Sequence, residues 1–436
     1  MRRSPATAVR FLAAALATIY AVSHAWAREI GPGDDLRAAV AGLKPGDELV
    51  LRGGRFVIGS RFLVTAQGTP SAPIVLRAKS GERPVIEQTD RENDIIEIRD
   101  SRHFTVRGIA FRGGSHGIDL ARSDFVTIED CEIYDTGDAG IAANSGGTYE
   151  GLRLLRNNIH DTGGHGEGMY LGCNHNACRV ANSLIEGNHI HHTNGPSVTQ
   201  GDGIELKEGS YGNIIRDNVI HDTKSPGIIT YGTAGNGAAN IVERNVIWNA
   251  SDNGIQSAAD AVIRNNIVLG SPIALQKHQA ASPANLEVVH NTVITKGDAI
   301  AVRDVSGRVL IANNAVYSQD GDAIGLVSGT LSLVTVRGNV GVGDVLGVTS
   351  GFETGQGLRA DFVNAHFGGM PPIDPRPKPG SALIAAGSPV HVTIDDFNGT
   401  PRKGVSDAGA YGFGRPGAAS WAIGPTFKAI RGDTRN

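Results

Sequence analysis

A chain of 436 residues with a net charge of −4, 59 glycines, 5 % aromatic residues and three cysteines sets the first limits. Charges of both signs without a basic excess give nucleic acid no footprint, and three cysteines are too few for a disulfide scaffold. The length would accommodate two or three domains, but the recurrence of Gly with Asn, Val and Ile points to one elongated unit.

In chain order, residues 1–27 read as an export signal. Arg2, Arg3 and Arg10 precede the apolar run FLAAALATIYAV, and AWA at Ala25 to Ala27 is a small-x-small cleavage site. The run is too short to span a bilayer, which predicts a secreted or periplasmic product with no membrane anchor. Residues 28–103 are predicted to form an N-terminal cap and the first coils. In DDLRAAVAGLKPGDELVLRGGRF an acidic start caps a short helix, Leu36, Val40 and Leu43 share one face of it, and KPGD turns the chain into a strand.

Residues 104–345 carry a repeat. The segments LLRNNIHDTG, IEGNHIHHTN, IIRDNVIHDT, VERNVIWNAS, VIRNNIVLGS, VVHNTVITKG and IANNAVYSQD align on Asn-x-Ile/Val, which places Asn157, Asn188, Asn218, Asn245, Asn265, Asn291 and Asn314 in one column. Separations of about 20 to 31 residues match one solenoid turn. The asparagines are expected to form an internal ladder at a bend, each amide satisfying backbone groups and its neighbour. Ile109 and Cys131 hold the same column earlier, so Cys131 is expected to be buried packing and not a nucleophile. His160, His191, His221 and Trp248 form a second column, read as stacked rings beside a turn or as a metal-binding row, and Thr162, Thr193 and Thr223 form a third. Cys173 and Cys178, in GCNHNAC, either close a small loop in an oxidising compartment or remain free.

Between these segments lie HGIDLA, AGIAAN, EGMYLG, DGIELK, PGIITY, NGIQSA and DAIAVR, in which aliphatic and variable residues alternate with the period of a half-buried strand. Two or three short strands per turn, repeated about ten times, predict an all-β fold, a parallel β-helix. Residues 346–436 break the repeat at MPPIDPRPKPG and are predicted to fold back over the last coil as a C-terminal capping segment.

If the glycines of these strands stack, equivalent offsets become neighbours about 4.8 Å apart. That brings Glu167 beside Asp202, Tyr170 beside Glu205 and Lys207 beside Tyr231 in one outward-facing patch. The long loops DTGGHGEG, which carries His165, and HTNGPSVTQGDG wall it. Glu167, Asp202 and Glu205 form a hard-oxygen set suited to calcium. A cation there would offset the charge of an anionic ligand, with Lys207 beside it as a candidate acid–base group. Tyr170 and Tyr231 are candidate proton donors to the leaving oxygen, and His165 is a further catalytic candidate. The plain alternative is a solvated strand face whose ion pair contributes under about 1 kcal/mol.

The helix-then-PGDELVLRGGRF opening, GTPSAPIVLRAKSGERPVIEQ, the Asn-x-Ile/Val coils and the closing DFNGTPRKGVSDAGAYGF resemble secreted members of the pectate-lyase-like superfamily, over essentially the whole mature chain. The resemblance implies a single-stranded right-handed parallel β-helix with an N-terminal helical cap and a C-terminal capping segment. The site pattern is nearest to the chondroitinase B and alginate lyase group, which has two glutamates, one residue apart, ahead of its lysine. Here the matching positions hold Gln200 and Asp202, and Lys207 resembles the lysine base. This implies β-elimination on an acidic, uronate-containing polysaccharide with calcium, by a protein expected to be a monomer. Because the same scaffold carries other functions, a glycoside hydrolase or epimerase using Asp202 and Glu205 and a non-catalytic carbohydrate-binding protein stay open.

Overall fold

The computed structural model describes residues 27–414. The predicted export signal lies outside them except for Ala27, and within them no helix is long and apolar enough to cross a membrane.

Three short strands make up a central turn. One turn runs through Leu184–Glu186, His189–Thr193 and Ile204–Leu206, and the next through Ile214–Arg216, Val219–Thr223 and Ile228–Thr230. Each strand pairs in parallel with its counterpart one turn on, as Ile185 with Ile215, Ile190 with Ile220 and Ile204 with Ile228. The chain is therefore a parallel β-helix. One inward column reads Ile141, Met169, Ile204, Ile228, Ile255, Ile273, Ile300 and Ile324, all fully buried. Each of these side chains packs on its counterpart about 4.8 Å away, a spacing at which branched aliphatic side chains fill the interior.

The glycine ahead of each such strand is a packing requirement. A Cβ at Gly203 would stand 2.4 Å from the Gly227 carbonyl oxygen and 2.5 Å from Ile220 Cγ2. The Gly-Ile motif thus marks where successive turns approach too closely for any side chain.

The asparagine column forms the expected ladder, with one correction. Its members are Asn157, Asn188, Asn218, Asn245, Asn266, Asn291, Asn314 and Asn339, each Oδ1 accepting from the backbone N–H of the member before it. Asn266 fills the place expected for Asn265. The residue before each rung turns through the left-handed region, as do Arg156, Asp217, Arg244 and His290, and Asn265 takes that turn with φ 54°. Asn is among the few residues that tolerate this conformation, so two adjacent asparagines filled turn and rung in an order the repeat pattern misassigned. A second ladder, Ser183 to Asn213 to Asn240, runs at another bend. Cys131 is buried in the first column, its backbone N–H donating to Asn157 Oδ1, and burial pushes its thiol up to about 12.

Asn218→Ala removes the acceptor for both the backbone and side-chain N–H groups of Asn188 and the donor to Ile185 O. Each buried polar group left unpaired costs about 1–3 kcal/mol. The expected loss is about 3 kcal/mol or more, read as a lower denaturant midpoint in chemical unfolding.

The rings of Tyr134, His160, His191, His221 and Trp248 stack along the axis with centroids 4.2 to 5.3 Å apart. The stacked-ring reading of that column therefore holds. Thr162, Thr193 and Thr223 each donate to a carbonyl in the loop that follows, at Gly166, Gly201 and Ser225. The first two bonds fold the loops that carry Glu167 and Asp202 to their strands.

At the N-terminus the helix Leu36–Ala41 is capped by Asp35, whose side chain accepts from Ala38 N, and buries Leu36, Ala39 and Val40. Leu43, past the helix end, packs partly buried on the core. The C-terminal segment reaches further than covering the last coil requires. Leu358, Phe362, Leu383, Phe397 and Tyr411 pack along the flank against Val219, Val246, Trp248, Ile267 and Val340. Apolar side chains on the outer face of those turns need such a cover. Arg244 Nη1 meets Asp395 Oδ2 at 2.9 Å, and Asn313 Nδ2 donates to Ser388 O at 3.0 Å, pinning the segment across several turns.

Candidate active site

Four strands of one face carry the site: β1 (Met169–Leu171), β2 (Ile204–Leu206), β3 (Ile228–Thr230) and β4 (Ile255–Ser257). Their register aligns Tyr170, Glu205, Ile229 and Gln256 in one row. Glu167 and Asp202 precede β1 and β2, and Lys207 and Tyr231 follow β2 and β3.

Glu167, Asp202 and Glu205 converge, each offering a carboxylate oxygen within 4.8 Å of the others. The solvated-strand alternative does not hold. Relative exposures of 1 % for Glu167, 5 % for Asp202, 1 % for Glu205 and 4 % for Lys207 show that the patch faces away from the core yet is buried. Loops cover it, one directly after β1 and others after later strands. Residues 173–178 are closed by the Cys173–Cys178 disulfide, with Cα atoms 4.8 Å apart. Asn236 Nδ2 donates to Asn176 Oδ1 at 3.0 Å, and Gln279 Nε2 donates to Asn174 Oδ1 at 2.8 Å.

Lys207 Nζ donates to Glu205 Oε1 and, at 3.2 Å, to Tyr231 Oη. Tyr231 in turn donates to the same Glu205 oxygen at 2.5 Å. The ammonium lies 4.5 Å from the Tyr170 ring centroid and 4.9 Å from that of Tyr231, a cation–π cradle on two sides. Lys207, Tyr170 and Tyr231 thus share one site. Among the described residues no side-chain hydrogen bond joins His165 to them: it is exposed in its loop, where its backbone N–H donates to Asp138 Oδ1 and its carbonyl accepts from Gln200 and Gly201.

Both oxygens of Glu167 and Oε2 of Glu205 are buried and have no hydrogen-bond partner among the described residues. Such oxygens are costly to bury unless a cation or proton meets them. Burial first, then the charges of Glu205 and Asp138, pushes Glu167 from the ordinary 4.5 up to about 7. Burial and the same two glutamates raise Asp202 well above the usual carboxylate range. Burial and Glu205 likewise raise Tyr231, and burial raises Tyr170, so both phenols keep their protons.

The sign of the resulting pH dependence is fixed. With its folded pKa above its unfolded one, Glu167 binds more protons folded than unfolded between about 4.5 and about 7. Its contribution to stability is therefore present below that window and lost as pH rises through it. In chelator, the thermal midpoint of the wild type measured relative to Glu167→Gln is expected to fall across this window, with little further change above it.

Asp202, Lys207 and Tyr231 open on a cleft of about 370 Å³ also lined by Asn174, Gln200 and His278. Gln200 is exposed on its rim and carries no charge, so the third carboxylate of the cluster comes from Glu167 on the preceding turn. His278 belongs to a loop that no strand alignment connects to Lys207, and only the fold brings it here.

Residues 29–285 match the family described as Pel9A-like, right handed beta helix region. The chain belongs to that family. Over 186 residues this Pel9A-like chain is 28 % identical to "Pectate lyase PEL9" of Emericella nidulans (strain FGSC A4 / ATCC 38163 / CBS 112.46 / NRRL 194 / M139), covering 42 % of this chain and 41 % of that one. It thus spans about two fifths of the length of this relative. The Pel9A-like fold superposes on the crystal structure of pectate lyase Pel9A with a TM-score of 0.52 at 15 % identity, over 89 % of this chain and 97 % of that one. It superposes on XylC in complex with xylose with a TM-score of 0.54 at 12 % identity, over 76 % and 86 %. At these identities the two structures show the shared right-handed β-helix alone.

Proposed function

We propose that this protein cleaves an acidic, uronate-containing polysaccharide by β-elimination, with Lys207 as base beside a calcium site of Glu167, Asp202 and Glu205. The observation that carries this reading is the set of buried carboxylate oxygens without hydrogen-bond partners, placed beside a lysine that opens on a cleft. Similarity to two proteins named as pectate lyases supports it.

The residues fit the metal. Carboxylate oxygens are the hard donors that calcium takes, and sites of this kind leave further positions for water and ligand oxygens. Calcium held there would supply the positive charge that neutralises a sugar carboxylate and acidifies the carbon next to it. The remaining work falls to the side chains. Glu205 and Tyr231 aim Lys207 Nζ; the ammonium first gives a proton to solvent, and the neutral amine takes the proton from the carbon α to the carboxylate. The C–H electron pair becomes the new carbon–carbon double bond, and the glycosidic oxygen leaves the β carbon with its own pair. The Tyr231 proton is directed at Glu205, so the partly exposed Tyr170 is the phenol left to serve the leaving oxygen. The export signal expected at residues 1–27 agrees with a polymer substrate met outside the cytoplasm.

The test is incubation with pectate, alginate and glycosaminoglycans, with calcium or with chelator. Ultraviolet absorbance from unsaturated ends that chelator abolishes is the expected result. New reducing ends without that absorbance would mean hydrolysis, and binding without any product would mean a non-catalytic glycan-binding protein.

A further inference from the structure

His278 lies outside the strands that bear the carboxylates and outside the histidine column. It sits in the loop after Ile273–Leu275, where paired backbone hydrogen bonds with Ala281 close a tight turn. Its neighbour Gln279, at φ 50°, crosses to Asn174 in the disulfide loop. The turn is therefore clamped against a wall contributed by a segment far earlier in the chain. The His278 ring meets Tyr231 edge-on, with centroids 4.4 Å apart and planes at 87°. Tyr231 is the residue that holds both Lys207 and Glu205, so His278 borders the reacting centre.

A chain of amides fixes which nitrogen of His278 carries the proton. The Asp252 carboxylate accepts from Asn253 Nδ2 at 3.0 Å, which leaves no choice in the orientation of that amide. The same Nδ2 donates to Gln256 Oε1 at 2.9 Å, and Gln276 Nε2 donates to that oxygen at 3.0 Å. With its oxygen held by two donors, Gln256 presents Nε2 to His278 Nδ1 at 3.2 Å. A ring nitrogen that faces a donor must accept, so the proton of the neutral imidazole sits on Nε2. Among the described residues, Nε2 has no hydrogen-bond partner, and the partly exposed ring lines the cleft. Burial lowers the His278 pKa, with Glu205 and Asp252 opposing and Lys207 reinforcing the shift, which agrees with a neutral ring.

We infer that His278 is a substrate contact: its Nε2–H donates to an oxygen of the acidic sugar seated between Lys207 and the turn at residues 276–281. Asn253, Gln256 and Gln276 are positioning residues that set the tautomer. Sugars present hydroxyl, ring and carboxylate oxygens, all acceptors. A neutral N–H serves them without placing a second full charge beside the carboxylate cluster. The inference rests on the lyase reading of the same cleft.

Three readouts on the full-length protein test it. Nitrogen-15 shifts of His278 are expected to show the Nε2–H tautomer, and the Nδ1–H tautomer would overturn the inference. His278→Ala is expected to lower kcat/KM for elimination about 10- to 100-fold, the range for losing one hydrogen bond to a buried ligand group. His278→Gln, whose amide reaches the Nε2 position, should recover most of that loss. Wild-type kcat/KM in His278→Ala would overturn the inference, as would an equal loss in His278→Gln. Should His278→Ala misfold, His278→Phe keeps the edge contact with Tyr231 without the donor, and the same loss is expected. If the wild type forms no unsaturated product, the lyase reading falls and binding decides for His278. Oligogalacturonate and oligoalginate, titrated with calcium present, should then bind His278→Ala about 10-fold or more weakly than the wild type. Equal affinity, or no binding by the wild type, overturns the inference.

Discussion

Lys207→Ala is expected to reduce the formation of unsaturated ends by about 10²- to 10⁴-fold, the range for removing a positioned acid–base group. The variant also leaves Glu205 buried without its ammonium partner. Breaking a buried ion pair from one side costs about 3–5 kcal/mol, so the thermal midpoint in chelator should fall as well. Lys207→Arg separates the two effects. Its guanidinium keeps a positive charge against Glu205 but does not give up its proton at any pH an assay would use. The expected outcome is recovered stability without recovered elimination. Full activity in Lys207→Arg would mean that the lysine acts through its charge and not as a base.

Glu167→Gln is expected to have opposite effects with and without calcium. In chelator it relieves three buried carboxylates of one charge, at a position whose pKa burial and neighbours raise to about 7. Above neutral pH this should stabilise the protein by an amount on the order of 2 kcal/mol. With calcium, the same change deletes a ligand. Affinity should fall by more than about 100-fold, the upper range for losing a residue that only supports a ligand. Calorimetric titration checks the affinity, and thermal unfolding at several calcium concentrations checks the stability, since a ligand at 100 times its Kd adds about 2.7 kcal/mol. A variant destabilised in chelator would show that the cluster is a structural network and not a cation site.

The β-helix made part of this site legible before any coordinates. Once Gly168 and Gly203 are stacked, Tyr170 falls beside Glu205, and Glu167 falls near Asp202, because parallel register repeats the same offset on every turn. The ladder asparagines were legible for the same reason. Asn265 and Asn266 were confused because Asn suits both the left-handed turn and the rung. Burial was not legible. Outward positions of a solenoid are exposed unless a loop covers them, and here the covers are the 173–178 loop and the turn around His278. Asn174 and Gln279 are 105 residues apart, with no periodic signal linking them. The flank cover by the C-terminal segment was hidden likewise: Val219, Val246 and Ile267 look like ordinary strand residues until Phe362 and Phe397 are seen on them.

The mass of the products released from an acidic polysaccharide in calcium distinguishes elimination at Lys207 from hydrolysis. Elimination leaves each new non-reducing end one water lighter than hydrolysis does. Unsaturated oligouronates are expected from the wild type in calcium, and none in chelator or from Lys207→Ala. Saturated products of the same length, or unsaturated products that persist in Lys207→Ala, would contradict elimination with Lys207 as base.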